Sequence, residues 1–338
     1  MQWIPSEDGS FGVVSRNLIR EIAKKQLQLP WVGAVSARLD GPDLPGGWQF
    51  LLFYVWELTA LHQNRIGRLQ NVHRIVGISR HVARILESYG IEARGGQLGV
   101  DTDVFRPLKE RRPGQHFVFG SVIAANSRSG LDILLEGFRL AFGNRRDVLL
   151  KIKLYSPPEP RLVKYIESFG VNVEVMDCFW NWSEEQMCEF YNSLDCFVYP
   201  TRTTAWGMPL SEACACGVPC IVTDYSAPPE FIDSEIGWLL PAKEVEVDWD
   251  YCRKMAQEHG WIHHWPEEGY LKEVPKWAEP DKETLAQLLQ DAVDSPELIQ
   301  QKGQFARQKM VNNFTWAHSL EKILQALEIE SHLSISGG

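Results

Sequence analysis

The chain has 338 residues, of which 44% are hydrophobic and 23% charged, and it carries a formal net charge of −10. That length exceeds what one hydrophobic core usually supports, so two domains are expected, and the composition excludes the disordered class. The negative balance argues against nucleic acid as a partner, because neutralising phosphates needs clustered Lys and Arg.

The N-terminal sequence MQWIPSEDGSFG lacks a basic segment followed by an apolar one, and no run of about 18 apolar residues occurs. A soluble, cytoplasmic chain is expected. Residues 2–4 suffice for a reduced first strand. Gly9-Ser-Phe-Gly12 then leads into VVSRNLIREIAKK, where Val14, Leu18 and Ile22 recur at helical spacing. FLLFYVW (50–56) is a continuous apolar run of strand length, as in a parallel strand covered on both faces, and it ends at Glu57. RIVGIS (74–79) reads as a strand and HVARILESYG (81–90) as a helix closed by Gly90. Arg65, Arg68, Arg74, Arg80 and Arg84 fall close together in this half. They are read as a solvated helix face. The alternative, a surface for anionic lipid or an anionic acceptor, stays open, as does contact with a membrane or a partner subunit through the N-terminal domain.

Arg106-Pro107 to Pro113, charged and bracketed by prolines, marks the expected boundary. Strands and helices then alternate strictly: HFVFGSV, GLDILLEGFRLAF, DVLLKIKLY, PRLVKYIESFG, VNVEVM, SEEQMCEFYNSL, DCFVYP, PLSEACACG and PCIVTD. Such alternation predicts a doubly wound parallel sheet that binds its ligand beyond the carboxyl ends of the strands. Residues 243–280 look irregular and rich in Trp, Glu and His, and residues 282–333 mostly helical.

All seven cysteines lie between Cys178 and Cys252. Cys214, Cys216 and Cys220 are read as small core residues whose sulfurs do not converge, and His259, His263 and His264 as part of an aromatic loop, so no metal site is expected. The stretch from Tyr199 to Glu212 carries the chemistry. A buried strand ends, the loop TRTTAWG follows, and a helix opens at Met208-Pro209. Proline in a first turn loses no hydrogen bond, and the free N–H groups with the positive helix end suit a diphosphate. Gly207 lets backbone approach closely, and Glu212 stands where it can accept from a ribose diol.

The segment resembles the signature of the retaining GT-B glycosyltransferases of the GT4 type (glycosyl transferases group 1). That signature runs E-G-F-G-x-P-x-x-E-A-x-A-x-G-x-P-V-I-x-T-D, against T-A-W-G-M-P-L-S-E-A-C-A-C-G-V-P-C-I-V-T-D here. VGISRHVARILESYGI with LGVDTDVFRP, GLDILLEGFRLAF and SEEQMCEFYNSLDCFVYPT look familial as well.

The resemblance implies two Rossmann-like doubly wound domains facing a cleft: an acceptor-side domain over 1–106, a nucleotide-sugar domain over 107–314, and a terminal helix (315–338) crossing back. It implies a nucleoside-diphosphate sugar as donor, UDP or GDP foremost, a hydroxyl acceptor, no other cofactor and no essential metal. Glu212 would hold the ribose, and the backbone of Gly207, Met208, Pro209 and Leu210 would meet sugar and diphosphate. Gly9 and Gly12 would close over the phosphates, and the loop after Met176 would line the base. The chain also departs from the pattern. The first signature carboxylate is Thr204. The family's Arg and Lys are replaced by Ser121 and Ser129, with Arg128 as a displaced cation. Glu57 is preferred to His62 as the catalytic group of the N-terminal domain. The reading that follows is a glycosyltransferase, with a silent relative that binds nucleotide or glycan, or scaffolds glycan assembly, as the alternative.

Overall fold

The computed structural model describes residues 3–4, 9–25, 32–36, 50–54, 57–70, 72, 74–108, 116–155, 159–176, 182–261 and 271–326. The chain divides into two compact units. The first comprises Met1–Trp56, Asn64–Gly99 and Phe314–Gly338, and the second Glu57–Gln63 and Val100–Asn313. Thus the segment after the apolar run, expected in the N-terminal domain, groups with the second unit.

In the first unit the elements are β1 (Trp3–Ile4), α1 (Gly9–Lys24), β2 (Val32–Ser36), β3 (Phe50–Tyr54), α2 (Gln63–Gln70), β4 (Arg74–Gly77), α3 (Arg80–Glu87) and β5 (Arg94–Gly95). The five strands pair in parallel in the order β1-β2-β3-β4-β5. Gly9 and Gly12 are the first turn of α1 itself, not a turn preceding it. The five arginines do not share one helix face: Arg65 and Arg68 lie on α2, Arg74 on β4, and Arg80 and Arg84 on α3.

The second unit holds β6 (Phe117–Ile123), α4 (Leu131–Phe142), β7 (Val148–Leu154), α5 (Pro160–Glu167), β8 (Val173–Met176), α6 (Glu184–Asn192), β9 (Cys196–Tyr199), α7 (Met208–Ala215), β10 (Cys220–Thr223), β11 (Gly237–Leu240), β12 (Ala242–Glu246), α8 (Trp249–His259), β13 (Lys276–Pro280), α9 (Lys282–Asp294) and α10 (Pro296–Asn313). A final helix, α11 (Trp316–Ala326), belongs to the first unit. There it packs on α1, with Lys25 Nζ 2.7 Å from Glu321 and Ser319 Oγ donating to the Gln97 carbonyl at 2.7 Å.

Six parallel strands run β11-β10-β9-β6-β7-β8. The order reverses between β9 and β6, so their connections diverge there and open a crevice at the carboxyl ends. The strands are near-continuous apolar runs because helices cover both faces. The core joins β6, β7 and β9 to α4 and α9, and Phe138 meets Phe119 and Phe142 edge-on at 5.9 and 5.0 Å. Residues 243–280 are more regular than their sequence suggests. β12 and β13 form an antiparallel pair, and Asp248 caps α8 by accepting from the Tyr251 amide at 2.9 Å. Strong composition bias hid a short strand, a helix and a second short strand. His62, expected on a helix surface, instead makes an isolated antiparallel bridge with Leu271.

Two of the three clustered cysteines do converge. Cys214 and Cys220 sulfurs lie 3.4 Å apart, while Cys216 turns to Cys188 at 3.8 Å. All four are buried thiols. Burial pushes the Cys216 thiol far above its usual range, and the neighbouring Cys188 adds to the effect. Among the described residues no group of three His, Cys, Asp or Glu side chains could hold a metal ion; His263 and His264 lie outside them.

Candidate nucleotide-sugar site

At the β9–β6 crevice the chain builds a compact polar cluster in the second unit. β9 ends at Tyr199, and the loop that follows is buried from Thr201 to Gly207. Gly207 has φ 98° and ψ 65°, a left-handed conformation that glycine adopts without cost. From it α7 starts, with Pro209 in the first turn. Pro209 has no N–H, and the Leu210 amide already donates to the Gly207 carbonyl at 2.9 Å. The amides of Gly207 and Met208 are therefore the donors this helix end offers to an anion, reinforced by the helix dipole.

Glu212 lies one turn further in. Its Oε2 accepts from the Tyr191 hydroxyl at 2.7 Å. Tyr191 is presented by α6, whose start is fixed by a reciprocal Ser183–Gln186 capping box. Burial of the carboxylate pushes Glu212 up to about 7, opposed by the Tyr191 hydrogen bond and by the charge of Lys153. The same burial, with Glu212 beside it, holds the Tyr191 phenol well above its ordinary value.

Across the crevice, β6 leads into a 3-10 turn, Ser127–Ser129, capped by Asn126. The serines that stand where the resembled family has cations are spent on structure. Ser121 Oγ donates to the Val198 carbonyl at 2.7 Å, and Ser129 Oγ and N both donate to Asn126 Oδ1, at 2.9 and 3.0 Å. Gly130 follows with φ 72°, and a Cβ there would meet the Pro200 carbonyl oxygen at 2.0 Å. The turn is thereby pressed against the loop after β9.

Arg128 and Glu57 come together, with Nε 3.0 Å from Oε2. Arg128 also donates to the Thr203 carbonyl at 3.1 Å, and Thr203 Oγ1 donates to the Glu57 carbonyl at 2.6 Å. Glu57 is therefore not a free carboxylate in this arrangement, and Arg128 is not a free cation. Thr204 is buried. Its amide donates to Ser226 Oγ at 3.1 Å, and Ser226 holds φ 61°, the positive φ of a non-glycine residue among those described. Burial raises the Tyr199 phenol, countered by the charge of Arg128 and by hydrogen bonds to Thr204 and Arg128.

Behind the loop sits Arg202. Its guanidinium binds Asp132 at 3.0 and 2.7 Å, Glu279 at 2.7 and 3.1 Å, and the Ser127 carbonyl at 2.7 Å. Tyr251 donates to the same Asp132 carboxylate at 2.6 Å. Burial opposes the charge on Asp132, but Arg202 outweighs it and keeps the carboxyl below its ordinary value. This network clamps the β9 loop, the 3-10 turn and β13 together.

The structure thus brings Glu57, Arg128, Ser129, Thr204, Gly207, Met208, Pro209, Leu210 and Glu212 to one end of the second unit. Gly9 and Gly12 belong to the first, and the loop after Met176 lies outside the described residues. Tyr191, Arg202, Ser226 and Lys153 escaped sequence reading. Tyr191 was legible only as helix filler, and Lys153 as one charge in the strand KIKLY.

Two parallel α/β units, one with its crevice beside a Gly-Pro helix start, define the GT-B fold of glycosyltransferases. Sucrose-phosphate synthase from Thermosynechococcus elongatus shares it with a TM-score of 0.63 at 14% identity, covering 96% of this chain and 79% of that one. Alr3699/HepE of Anabaena, solved with UDP and glucose, superposes with a TM-score of 0.60 at 12% identity, covering 95% and 83%. Residues 106–257 match the family described as "Glycosyl transferases group 1". A curated relative, "Uncharacterized glycosyltransferase 335" of Sulfolobus islandicus rod-shaped virus 1, is 27% identical over 150 residues, 42% of this chain and 40% of that protein. The matched part spans about two fifths of the length of the curated relatives.

Proposed function

We propose that this protein is a glycosyltransferase that moves a sugar from a nucleoside-diphosphate sugar to a hydroxyl acceptor, with retention at the anomeric carbon. One observation carries the reading: a helix start opened by Gly207, with Glu212 one turn in and held by Tyr191. The Gly207 and Met208 amides receive the diphosphate, and Glu212, when ionised, accepts from the ribose. As the glycosidic bond to the leaving diphosphate breaks, negative charge grows on the phosphate oxygens, and the helix end and Arg128 stabilise it. The acceptor oxygen bonds to the anomeric carbon on the same face, and its proton passes to the leaving phosphate. Helix N–H groups and basic side chains do here what a divalent ion does elsewhere, so no metal is required.

The alternative is a silent relative that binds nucleotide or glycan. It is favoured by the internal bonding of Ser121 and Ser129, and by the pairing of Arg128 with Glu57. A thermal-shift screen with UDP, GDP, ADP and their sugar conjugates, with and without EDTA, tests the site, since a ligand of the folded form raises the melting temperature. The expected result is a shift with one nucleotide, unaffected by EDTA and lost in Glu212→Ala. A shift without transfer to any acceptor supports the silent relative, and no shift at all removes both nucleotide readings.

A further inference from the structure

The segment Glu57–Gln63 groups with the second unit, although the chain comes to it from the first and returns there afterwards. Its seat is built from backbone bonds and buried side chains. The Lys276 amide donates to Thr59 Oγ1 at 2.6 Å, the Lys272 amide donates to the Leu61 carbonyl at 3.1 Å, and His62 bridges Leu271. Leu58 is 1% exposed, and Ala60 and Leu61 are fully buried. Apolar burial thus docks the segment, and the backbone bonds fix its register.

At its first residue the segment closes a ring of three bonds with the candidate site. Thr203 Oγ1 donates to the Glu57 carbonyl at 2.6 Å, Arg128 Nη1 donates to the Thr203 carbonyl at 3.1 Å, and Arg128 Nε lies 3.0 Å from Glu57 Oε2. The docked segment therefore sets a carboxylate of its own on the guanidinium of the 3-10 turn. A phosphate oxygen makes the same demand on that guanidinium, because both anions accept charge-assisted hydrogen bonds from its N–H fork. One Nε–H cannot serve both at full strength, and the two negative charges repel each other.

Resting on the sugar-nucleotide reading above, we propose that Glu57–Gln63 is an autoinhibitory strap. Seated, it holds the Glu57 carboxylate on Arg128 as an internal competitor of the donor's diphosphate, and the diphosphate binds by displacing that carboxylate. Linkage makes the effect reciprocal: loosening the strap tightens diphosphate binding, and diphosphate binding loosens the strap by the same factor. The nucleoside part of the ligand, which has no claim on Arg128, takes no part in the exchange.

Isothermal titration of the full chain with UDP, GDP and ADP, each beside its nucleoside, reads the first direction. Thr59→Val keeps the side chain's shape and removes the hydroxyl that anchors the strap to Lys276. It should bind the diphosphate of the preferred base about twofold to fivefold more tightly than wild type, the yield of releasing a partly exposed ion pair, and the nucleoside no differently. Amide hydrogen exchange of wild type reads the second direction and needs no variant. The Lys272 and Lys276 amides, which hold the strap, should exchange faster with the diphosphate bound than with the nucleoside bound. Equal gains for diphosphate and nucleoside would place the effect away from Arg128; an unchanged or weaker diphosphate affinity, or unaltered exchange at both amides, would leave the segment a static part of the fold. Each of these overturns the proposal. A wild type that binds no diphosphate beside a Thr59→Val that does would support it. If neither binds any, the sugar-nucleotide reading falls, and this inference with it.

Discussion

Two buried cations sit in the second unit under opposite conditions. Arg202 is 2% exposed and finds a bonded acceptor in Asp132, in Glu279 and in the Ser127 carbonyl. Lys153 is almost as buried, and among the described residues its ammonium lies over the Tyr155 and Trp182 rings. Burial of charge is tolerated when it is repaid within the fold, so Arg202 is explained by the structure alone. Lys153 instead lies against ring faces, a contact that recovers about 0.5–2 kcal/mol. The contrast separates a cation held by bonded carboxylates from one held by ring faces.

The largest effect should come from Arg202. Arg202→Met strands Asp132 and Glu279 and should cost about 3–5 kcal/mol in urea denaturation, as when one partner of a buried pair is removed. Lys153→Met, which removes a charge held against ring faces, should change stability by less than about 1 kcal/mol or raise it. Comparable losses in the two variants would erase the distinction between them.

Glu212 sharpens it from the acidic side. Its folded pKa of about 7 lies above the ordinary 4.5, because burial disfavours the charged form. Stability from this group is therefore full below pH 4.5 and is lost as the pH rises through 7. Glu212→Gln should match wild type near pH 4 and exceed it at pH 8 by up to about 3 kcal/mol in thermal or urea melts. Nucleotide affinity should run the other way: in wild type it grows as the pH rises through 7, and in the variant it is weak throughout. A pH-independent wild-type affinity would show that the ionised carboxylate is not what the ligand meets.

How far the sequence disclosed this arrangement depends on the range of the interactions. The strand and helix runs from Phe117 to Thr223 were legible, because apolar periodicity and capping are local. So were Gly207, Pro209 and Glu212, which share one helix start. The partners of those residues were not. Tyr191 meets Glu212 across 21 positions, Arg128 meets Thr203 across 75, and Thr203 meets Glu57 across 146. Only the packing of α6 on α7, and of the segment after β3 onto the second unit, determines those meetings. The pair β12–β13 was missed for a related reason: the strands pair with each other across α8.

A smaller change tests whether the site's two loops act as one body. Gly130→Ala places a Cβ against the Pro200 carbonyl oxygen at a φ of 72°, and should cost about 1–3 kcal/mol in strain. Because that contact joins the 3-10 turn to the loop before α7, nucleotide affinity should fall as well. A stability loss with affinity intact would mean that the turn does not shape the ligand site.

The smallest effect is expected at Glu57, and it bears on how the leaving group is neutralised. The Glu57–Arg128 pair is partly exposed, so Glu57→Gln should cost at most about 1 kcal/mol in stability. Losing that carboxylate leaves Arg128 with its positive charge unbalanced, still oriented by the Thr203 carbonyl. If Arg128 faces the diphosphate, UDP or GDP should then bind a few-fold more tightly, while the nucleoside without phosphates binds as before. Turnover should fall if Glu57 also contacts the reacting sugar, and rise with affinity if it only restrains the arginine. Unchanged diphosphate affinity would mean that Arg128 braces the β9 loop alone, and the helix start would then stand as the phosphate site without a side-chain cation.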